Sequence, residues 1–513
     1  MINLDLILLV GSVVVMVAIL AARLGTRVGL PALLLFLGVG MLLGETRVTF
    51  DNPELAHALG FGALVIILAE GGLTTKWNDI RPAIGLAAVL ATVGIGISVS
   101  LMAFFGHFVL GLDWWVAILL GAVFSPTDAA AVFSVLRNVP LPYRLRGVVE
   151  AESGLNDAPT VLLVTLASTA ALTGHSEHGP VALVALVGLE LIAGIGMGLV
   201  LGWVGVQMMR RVALPASGLY PLATMVWIVF SYGVTAEIHA SGFAAVYVCA
   251  LMLGNAQLPH RWATRSFVEG TGWIAQIGLF VMLGMLAVPG RLNLQETMVA
   301  LAAGLFLTFV ARPVSVIVSA VVFRMPFREQ LFLSWAGLRG AVPIIMATVP
   351  LSMGVPNAPY LFDVVLIFVI LFTCLQAPTL PYAARKLGLV DLEAARDVEI
   401  EVAPLDKIAA DLLQVRIPDG SRMAGLEVSE LRLPPHSAVT LIIRNERPFA
   451  PAGRERLKVG DDLLIVTPSA ERERTEQRLA LLSRRGRLAK WREGARERRN
   501  RTGERNGAAP EDL

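Results

Sequence analysis

Thirteen apolar stretches follow one another between residues 5 and 383, at 5–22, 28–44, 58–75, 84–109, 114–136, 146–171, 180–208, 218–236, 239–256, 267–289, 297–323, 330–352 and 359–383. Each is long enough to cross a bilayer, which takes roughly 20 mostly apolar residues of helix. In lipid the backbone must satisfy its own polar groups, so such runs fold as helices. The expected class is therefore an all-α polytopic membrane protein of thirteen transmembrane helices. Composition agrees: 55% of the chain is hydrophobic and 16% charged, too little charge to cover a soluble protein of 513 residues. The first run follows Asp5 rather than a basic region, so it reads as a retained helix and not a removed signal.

Basic residues orient the spans, because short cytoplasmic loops retain them. Alternate loops carry Arg23, Arg27, Lys76, Arg81, Arg137, Arg144, Arg146, Arg210, Arg211, Arg261, Arg265, Arg324 and Arg328, whereas the opposite set carries Arg47 and Arg291. The N-terminus is thus expected outside and the C-terminus in the cytoplasm, in the cell's inner membrane. Glycines such as Gly38, Gly40, Gly194, Gly196 and Gly198 lie inside apolar runs with no strand before them, which suits close helix packing better than a nucleotide fingerprint. His175 and His178 have no companions at metal-ligand spacing, and no hydrolase or phosphate-loop motif occurs. The reading is of a transporter driven by an ion gradient, not an enzyme, with no cofactor and no metal beyond the transported cation.

Charges at bilayer depth cost ~2.5–3.5 kcal/mol on insertion scales and persist where they pair or line a pathway. They cluster in two spans. The fifth contains Ser125-Pro126-Thr127-Asp128, where Pro126 lacks an N–H and disfavours helix at Ser125, so the span should break and leave free backbone groups beside Thr127 and Asp128. Asp128 could also simply cap the second half-helix. The sixth contains Glu150-Ala151-Glu152-Ser153-Gly154-Leu155-Asn156-Asp157. Residues four apart share a helix side, so Asp157 aligns with the hydroxyl of Ser153 while Glu152 and Asn156 form another stripe. Glu152 needs a buried base, and the mid-span candidates are Arg312 and Arg339. Arg312 precedes Pro313 and could instead satisfy carbonyls freed at a kink. Gly337, Gly340 and Pro343 mark the twelfth span as a second broken helix. Two discontinuous helices seven spans apart point to inverted repeats with the binding site at their breaks.

At Ser125-Pro126-Thr127-Asp128-Ala129-Ala130-Ala131, Glu152-Ser153-Gly154-Leu155-Asn156-Asp157 and Gly337-Leu338-Arg339-Gly340-Ala341 the chain resembles the monovalent cation:proton antiporters, in the branch of sodium/proton and potassium/proton exchangers that carry an Asn-Asp pair. The resemblance extends over all thirteen spans. It implies that Asp157 binds proton and cation in turn, aided by Thr127, Ser153 and Asp128, with Asn156 replacing the second carboxylate of electrogenic relatives. It also implies a Glu152–Arg339 ion pair, a homodimer, and spans 4–6 and 11–13 as the moving unit. Glu70 resembles a position near the pathway, although interhelical hydrogen bonding would also explain it. Physically, a buried carboxylate can be neutralised by a proton or by a cation, and that competition couples the two fluxes. With Asn156 uncharged, electroneutral exchange is expected.

Beyond the spans the chain becomes densely charged. The expected division is a transmembrane domain over 1–383, a linker over 384–402, a module over 403–483 and a disordered basic tail over 484–513. Within the module, 413–417, 438–443 and 462–466 read as strands, 426–431 and 471–482 as helices, and Asp419-Gly420 and Val459-Gly460-Asp461 as turns, giving a small cytoplasmic α+β domain. Leu431-Arg432-Leu433-Pro434, Leu441-Ile442-Ile443-Arg444 and Leu457-Lys458-Val459-Gly460-Asp461-Asp462 resemble the TrkA-C-like regulatory domain of potassium channels and transporters. That company implies a small regulatory ligand and tilts the cation from Na⁺ toward K⁺. The alternatives are a strict Na⁺/H⁺ exchanger and, in another class, a ligand-gated cation channel, against which Asp157 and the want of a carbonyl-rich filter both argue.

Overall fold

The computed structural model describes residues 4–28, 32–44, 52–128, 131, 135, 141–174, 180–287, 290, 293–390, 399–405, 410–445 and 447–486. Arg47, Arg137, His175, His178, Arg291 and the tail past Gly486 lie outside the described residues. Backbone contacts divide the chain into one unit ending at Val390 and another beginning at Asp391.

The apolar runs fold as helices: α1 Leu4–Val28, α2 Ala32–Gly44, α3 Pro53–Thr74, α4 Ile84–Phe108, α5 Trp114–Phe124, α6 Tyr143–Thr173 and α7 Pro180–Arg211. These are followed by α8 Leu219–Glu237, α9 Gly242–Asn255, α10 Arg261–Leu286, α11 Leu294–Val321, α12 Phe327–Ala336, α13 Ala341–Ser352 and α14 Ala358–Lys386. Among the described residues, eight helices are long and apolar enough to cross a membrane. A ninth such span is the α12–α13 pair, bent by 52°, and α2, α5, α9 and part of α1 are shorter apolar helices. Starts are set by local chemistry. Asn52 caps α3 through the Leu55 N–H at 3.0 Å, with Pro53 at the first helical position, and Asn293 and Glu296 close a reciprocal capping box on α11.

The helices sort into two packed groups. In one, α2 and α3 lie on α10, while α9 packs on α3, α7 and α8; in the other, α4, α5 and α6 pack together and against α11, α13 and α14. The groups meet where α3 touches α13 and α9 touches α6. Small residues let backbones approach: a Cβ on Gly40 would stand 2.9 Å from the Gly284 Cα, and one on Gly198 2.8 Å from the Ala245 carbonyl oxygen. Gly38 and Gly196, by contrast, face open space. Two helices widen by a π turn, α4 at Leu90–Gly94 and α11 at Leu307–Ala311, and the Ser315 hydroxyl of α11 donates to the Gly94 carbonyl at 2.8 Å.

The C-terminal unit is a five-stranded antiparallel sheet, β1 Glu399–Leu405, β2 Ala410–Arg416, β3 Ala438–Arg444, β4 Arg447–Phe449 and β5 Asp462–Pro468, in the order β1-β2-β5-β3-β4, followed by α15 Arg472–Arg485. Alternation buries Leu413 and Val415 of β2 with Leu463 and Ile465 of β5, and α15 adds Leu479 and Leu482 to the core. Gly420 and Gly460 take left-handed conformations at the two expected turns, with φ of 86° and 83°. The helix expected over 426–431 is a single 3₁₀ turn, Val428–Leu431, tied off because the Glu427 and Glu430 side chains cap each other's backbone. Arg444 donates to both oxygens of Asp461 at 2.8 Å and to Glu455 at 2.9 Å, which holds its guanidinium pKa above the ordinary arginine range, Asp461 contributing most.

Candidate ion-binding site

The stretches expected to be the fifth and twelfth spans are both interrupted. In α5 the helix stops at Phe124, Ser125 returns its hydroxyl to the Gly121 carbonyl at 2.6 Å, and 126–128 run without helical bonding before Ala131 is helical again. In the twelfth, α12 ends at Ala336 and α13 begins at Ala341, leaving Gly337, Leu338, Arg339 and Gly340 non-helical. The two breaks cross. The Asp128 N–H donates to the Leu338 carbonyl at 2.9 Å, one Asp128 oxygen accepts from the Ala131 N–H and the other from the Ala341 N–H, both at 3.2 Å. Asp128 therefore caps the start of α13 from across the crossing and bonds the helical Ala131 on its own side. Both glycines sit in close quarters, Gly340 the more tightly. A Cβ on Gly340 would run into the Asp128 carboxylate, and one on Gly337 would stand 3.1 Å from Arg312 Nε and 3.3 Å from Thr127 Cγ2. From α14, Thr373 holds the Arg339 carbonyl at 2.8 Å.

Thr127, Ser153 and Asn156 come together beside this crossing, Asp157 follows Asn156 on α6, and all four are buried. Thr127 Oγ1 lies 3.0 Å from Ser153 Oγ and accepts from Asn156 Nδ2 at 2.9 Å; the same amide nitrogen reaches the Thr127 carbonyl at 3.3 Å. A carbonyl can only accept, so the amide nitrogen must face it, and Asn156 Oδ1 is turned elsewhere. That oxygen and Asp157 Oδ1 are buried with no hydrogen-bond donor. Asp128 is the neighbouring charge that Asp157 feels. Buried acceptors of this kind are normally satisfied, so the two oxygens are the unusual feature of this part of the fold.

The expected Glu152–Arg339 pair is corrected. Glu152 is held from α11 by Arg312, whose Nη1 and Nη2 donate to Oε1 and Oε2 at 2.6 and 2.9 Å. Arg339 remains within electrostatic reach of Glu152, but its Nη1 donates to the carbonyl of Gly337 in its own break, while Nε and Nη2 have no acceptor. The reason is positional. Arg339 sits inside the break and curls onto the nearest freed carbonyl, whereas Arg312 follows the π turn of α11 and presents its planar fork squarely to a carboxylate. The carbonyl-capping role considered for Arg312 is thus played by Arg339. At the crossing stand three acids, Asp128, Glu152 and Asp157, and two bases, Arg312 and Arg339.

Glu70 stands apart from this cluster. Its polar neighbours are Gln276, 3.4 Å away, and Glu269, both of α10, and it fills the space left by Gly272. Sequence reasoning also passed over Thr373, whose hydroxyl in α14 reads like any other helical threonine.

Residues 12–386 match the family of transmembrane sodium/hydrogen exchangers, which is most of the chain. The chain belongs to that family. Residues 412–480 of this exchanger match the TrkA-C domain. It is 35% identical over 479 residues to the K⁺/H⁺ antiporter NhaP of Alkalimonas amylolytica, covering 91% of this chain and 82% of that one. It is 32% identical to the K⁺/H⁺ antiporter NhaP2 of Shewanella baltica, over 89% and 80% of the two chains. To the Na⁺/H⁺ antiporter ApNhaP of Aphanothece halophytica it is 27% identical, over 83% and 84%. The solved structure of the sodium proton antiporter MjNhaP1 from Methanocaldococcus jannaschii superposes with a TM-score of 0.61 at 21% identity, over 75% of this exchanger and 99% of that chain, a likeness of fold.

Proposed function

We propose that this exchanger is a secondary antiporter that trades a monovalent cation, K⁺ in preference to Na⁺, for protons across the cell's inner membrane, serving cation, pH and volume balance. The observation that carries the reading is the pair of buried, donor-free oxygens on the adjacent Asn156 and Asp157, Asn156 itself bonding the Thr127 hydroxyl that Ser153 also meets. A cation seated there is bound by oxygens alone, and a proton on Asp157 removes its charge, so the two exclude one another. Counting the crossing as Asp128, Glu152 and Asp157 against Arg312 and Arg339, the site carries one negative charge when Asp157 is ionised and none when it holds either H⁺ or a monovalent cation. Only the neutral forms cross cheaply in a low-dielectric setting, which makes the exchange one for one and electroneutral.

The architecture proposed with it is thirteen spans in inverted repeats, N-terminus outside and C-terminus in the cytoplasm, working as a homodimer. The crossed breaks of the fifth and twelfth spans support it, as does the basic bias of the alternate loops. The group α4–α6 with α11–α14 is the moving unit, and α1–α3 with α7–α10 the support. A transmembrane domain over 1–383, a linker over 384–402 and the module over 403–483, which binds a small regulatory ligand, complete it; K⁺/H⁺ antiport named for two of the relatives supports the choice of cation. The test is dequenching of a pH-sensitive dye in everted vesicles on addition of K⁺ or Na⁺, with Asp157→Asn as control. A K⁺ response lost in the variant is the expected result. A response to Na⁺ alone identifies a strict Na⁺/H⁺ exchanger, and current without proton movement identifies a channel.

A further inference from the structure

Along α6, Glu150, Gly154 and Asp157 share one side, since residues four and seven apart return to the same stripe. Asp157 and Ser153 on this stripe are buried, while Glu150 is half-buried. Between them lies Tyr247 of α9, from the other helix group. A Cβ placed on Gly154 would stand 2.5, 2.7 and 3.1 Å from Cε2, Cζ and Cδ2 of its ring, so the ring rests directly on the α6 backbone. Behind it Gly72 of α3 makes room, where a Cβ would stand 2.8 Å from the Tyr247 carbonyl oxygen. The ring is 4% exposed. Its hydroxyl lies beside Thr75 and Glu150. Those two form the far wall: Thr75 Oγ1 is 2.5 Å from Glu150 Oε1, and Asn255 Nδ2 fixes the Thr75 carbonyl at 2.9 Å.

On the reading that Asp157 receives the transported ion, we propose that Tyr247 is the gate between that residue and the Glu150 end of α6. In the arrangement seen here its ring closes the stripe at Gly154. Because the ring belongs to one helix group and Gly154 to the other, α6 cannot slide along α9 without the ring leaving this seat.

The test compares cation K0.5 on the two faces of the full-length exchanger, using K⁺ added to everted and to right-side-out membrane vesicles. Tyr247→Ala removes the plug and shifts the population toward the form open at the Glu150 end, so K0.5 falls on that face and rises on the other, the two diverging by roughly tenfold. Tyr247→Phe, which keeps the ring, restores the wild-type ratio. Gly154→Ala drives the ring off its seat and reproduces the divergence, adding nothing in the Tyr247→Ala background; it carries the same test if Tyr247→Ala does not insert. Equal changes on both faces, a loss of maximal rate alone, or additive effects of the two substitutions overturn the gate. Failure of the underlying reading shows itself separately, as K⁺/H⁺ exchange that survives Asp157→Asn in the same vesicles.

Discussion

Replacing Arg312 by alanine leaves the Glu152 carboxylate buried without its hydrogen-bonded counter-charge, Arg339 acting on it only at a distance. Both side chains are about 95% buried, at 5% and 4% exposure, and two charge-assisted bonds of 2.6 and 2.9 Å are lost together. Breaking a buried pair from one side costs about 3–5 kcal/mol, mostly as the penalty on the stranded charge. Replacing both members by uncharged residues of similar size, Glu152→Gln with Arg312→Met, should recover most of that, because no lone charge remains. Arg339→Ala gives up one bond to a carbonyl and also removes a cation with two unsatisfied nitrogens, so its loss should stay under about 2 kcal/mol. The assay is a double-mutant cycle on unfolding of the purified full-length protein in detergent. The coupling expected for Glu152 with Arg312 is at least ~2 kcal/mol, and with Arg339 under ~1 kcal/mol. The reverse ranking would falsify the pairing, and with it the charge count on which electroneutrality rests.

Thr127→Ala removes the hydroxyl that meets Ser153 and leaves the Asn156 amide only its 3.3 Å bond to the main-chain carbonyl, so cation K0.5 should rise about tenfold or more, while Thr127→Ser restores it; equal K0.5 for all three would remove Thr127 from the site. Gly340→Ala pushes a methyl group into the Asp128 carboxylate and should abolish exchange, whereas Gly337→Ala meets Arg312 Nε, Arg339 Nη1 and Thr127 Cγ2 at 3.1, 3.1 and 3.3 Å, crowding that smaller shifts relieve, and should only slow it; dye assays on matched expression levels distinguish the two. In the module, Arg444→Met should destabilise the sheet by about 1–3 kcal/mol through the lost bonds to Asp461 and Glu455. Since these partners raise the arginine's pKa, its stabilisation is complete below the ordinary arginine range and would fade only as pH climbs through the raised value. The wild-type minus Arg444→Met difference should therefore be flat between about pH 6 and 9, and a slope there would contradict the assignment.

Much of the site was readable because it rests on residues with few other uses inside lipid. Pro126 and the pair Gly337 and Gly340 announce broken helices, and the four-residue spacing of Ser153 and Asp157 places a hydroxyl under an acid before any coordinates are known. What the sequence could not supply were contacts made across helices. Glu152 had two possible bases, and choosing between them depends on how α11 is turned after its π turn, which has no signature in Leu307–Ala311. Asp128 capping α13 is likewise a product of the crossing, since Ala341 lies 213 residues away. In the C-terminal unit, β2 and β5 alternate cleanly and β3 is rich in branched apolar residues, so all three were visible, whereas β1 carries Pro404 and β4 is three residues long. Both are edge strands of the sheet, held by one neighbour, where pairing and not local preference decides.

The claim at the centre is that one carboxylate, Asp157, holds H⁺ or the cation but never both. Purified exchanger in proteoliposomes, with cation K0.5 measured across a range of pH at fixed ionic strength, tests it most directly. Competition at one group predicts that, on the acidic side, K0.5 rises about tenfold for each unit fall in pH while the maximal rate holds constant. A K0.5 indifferent to pH, with protons altering only the maximal rate, would mean that the two ions occupy different places.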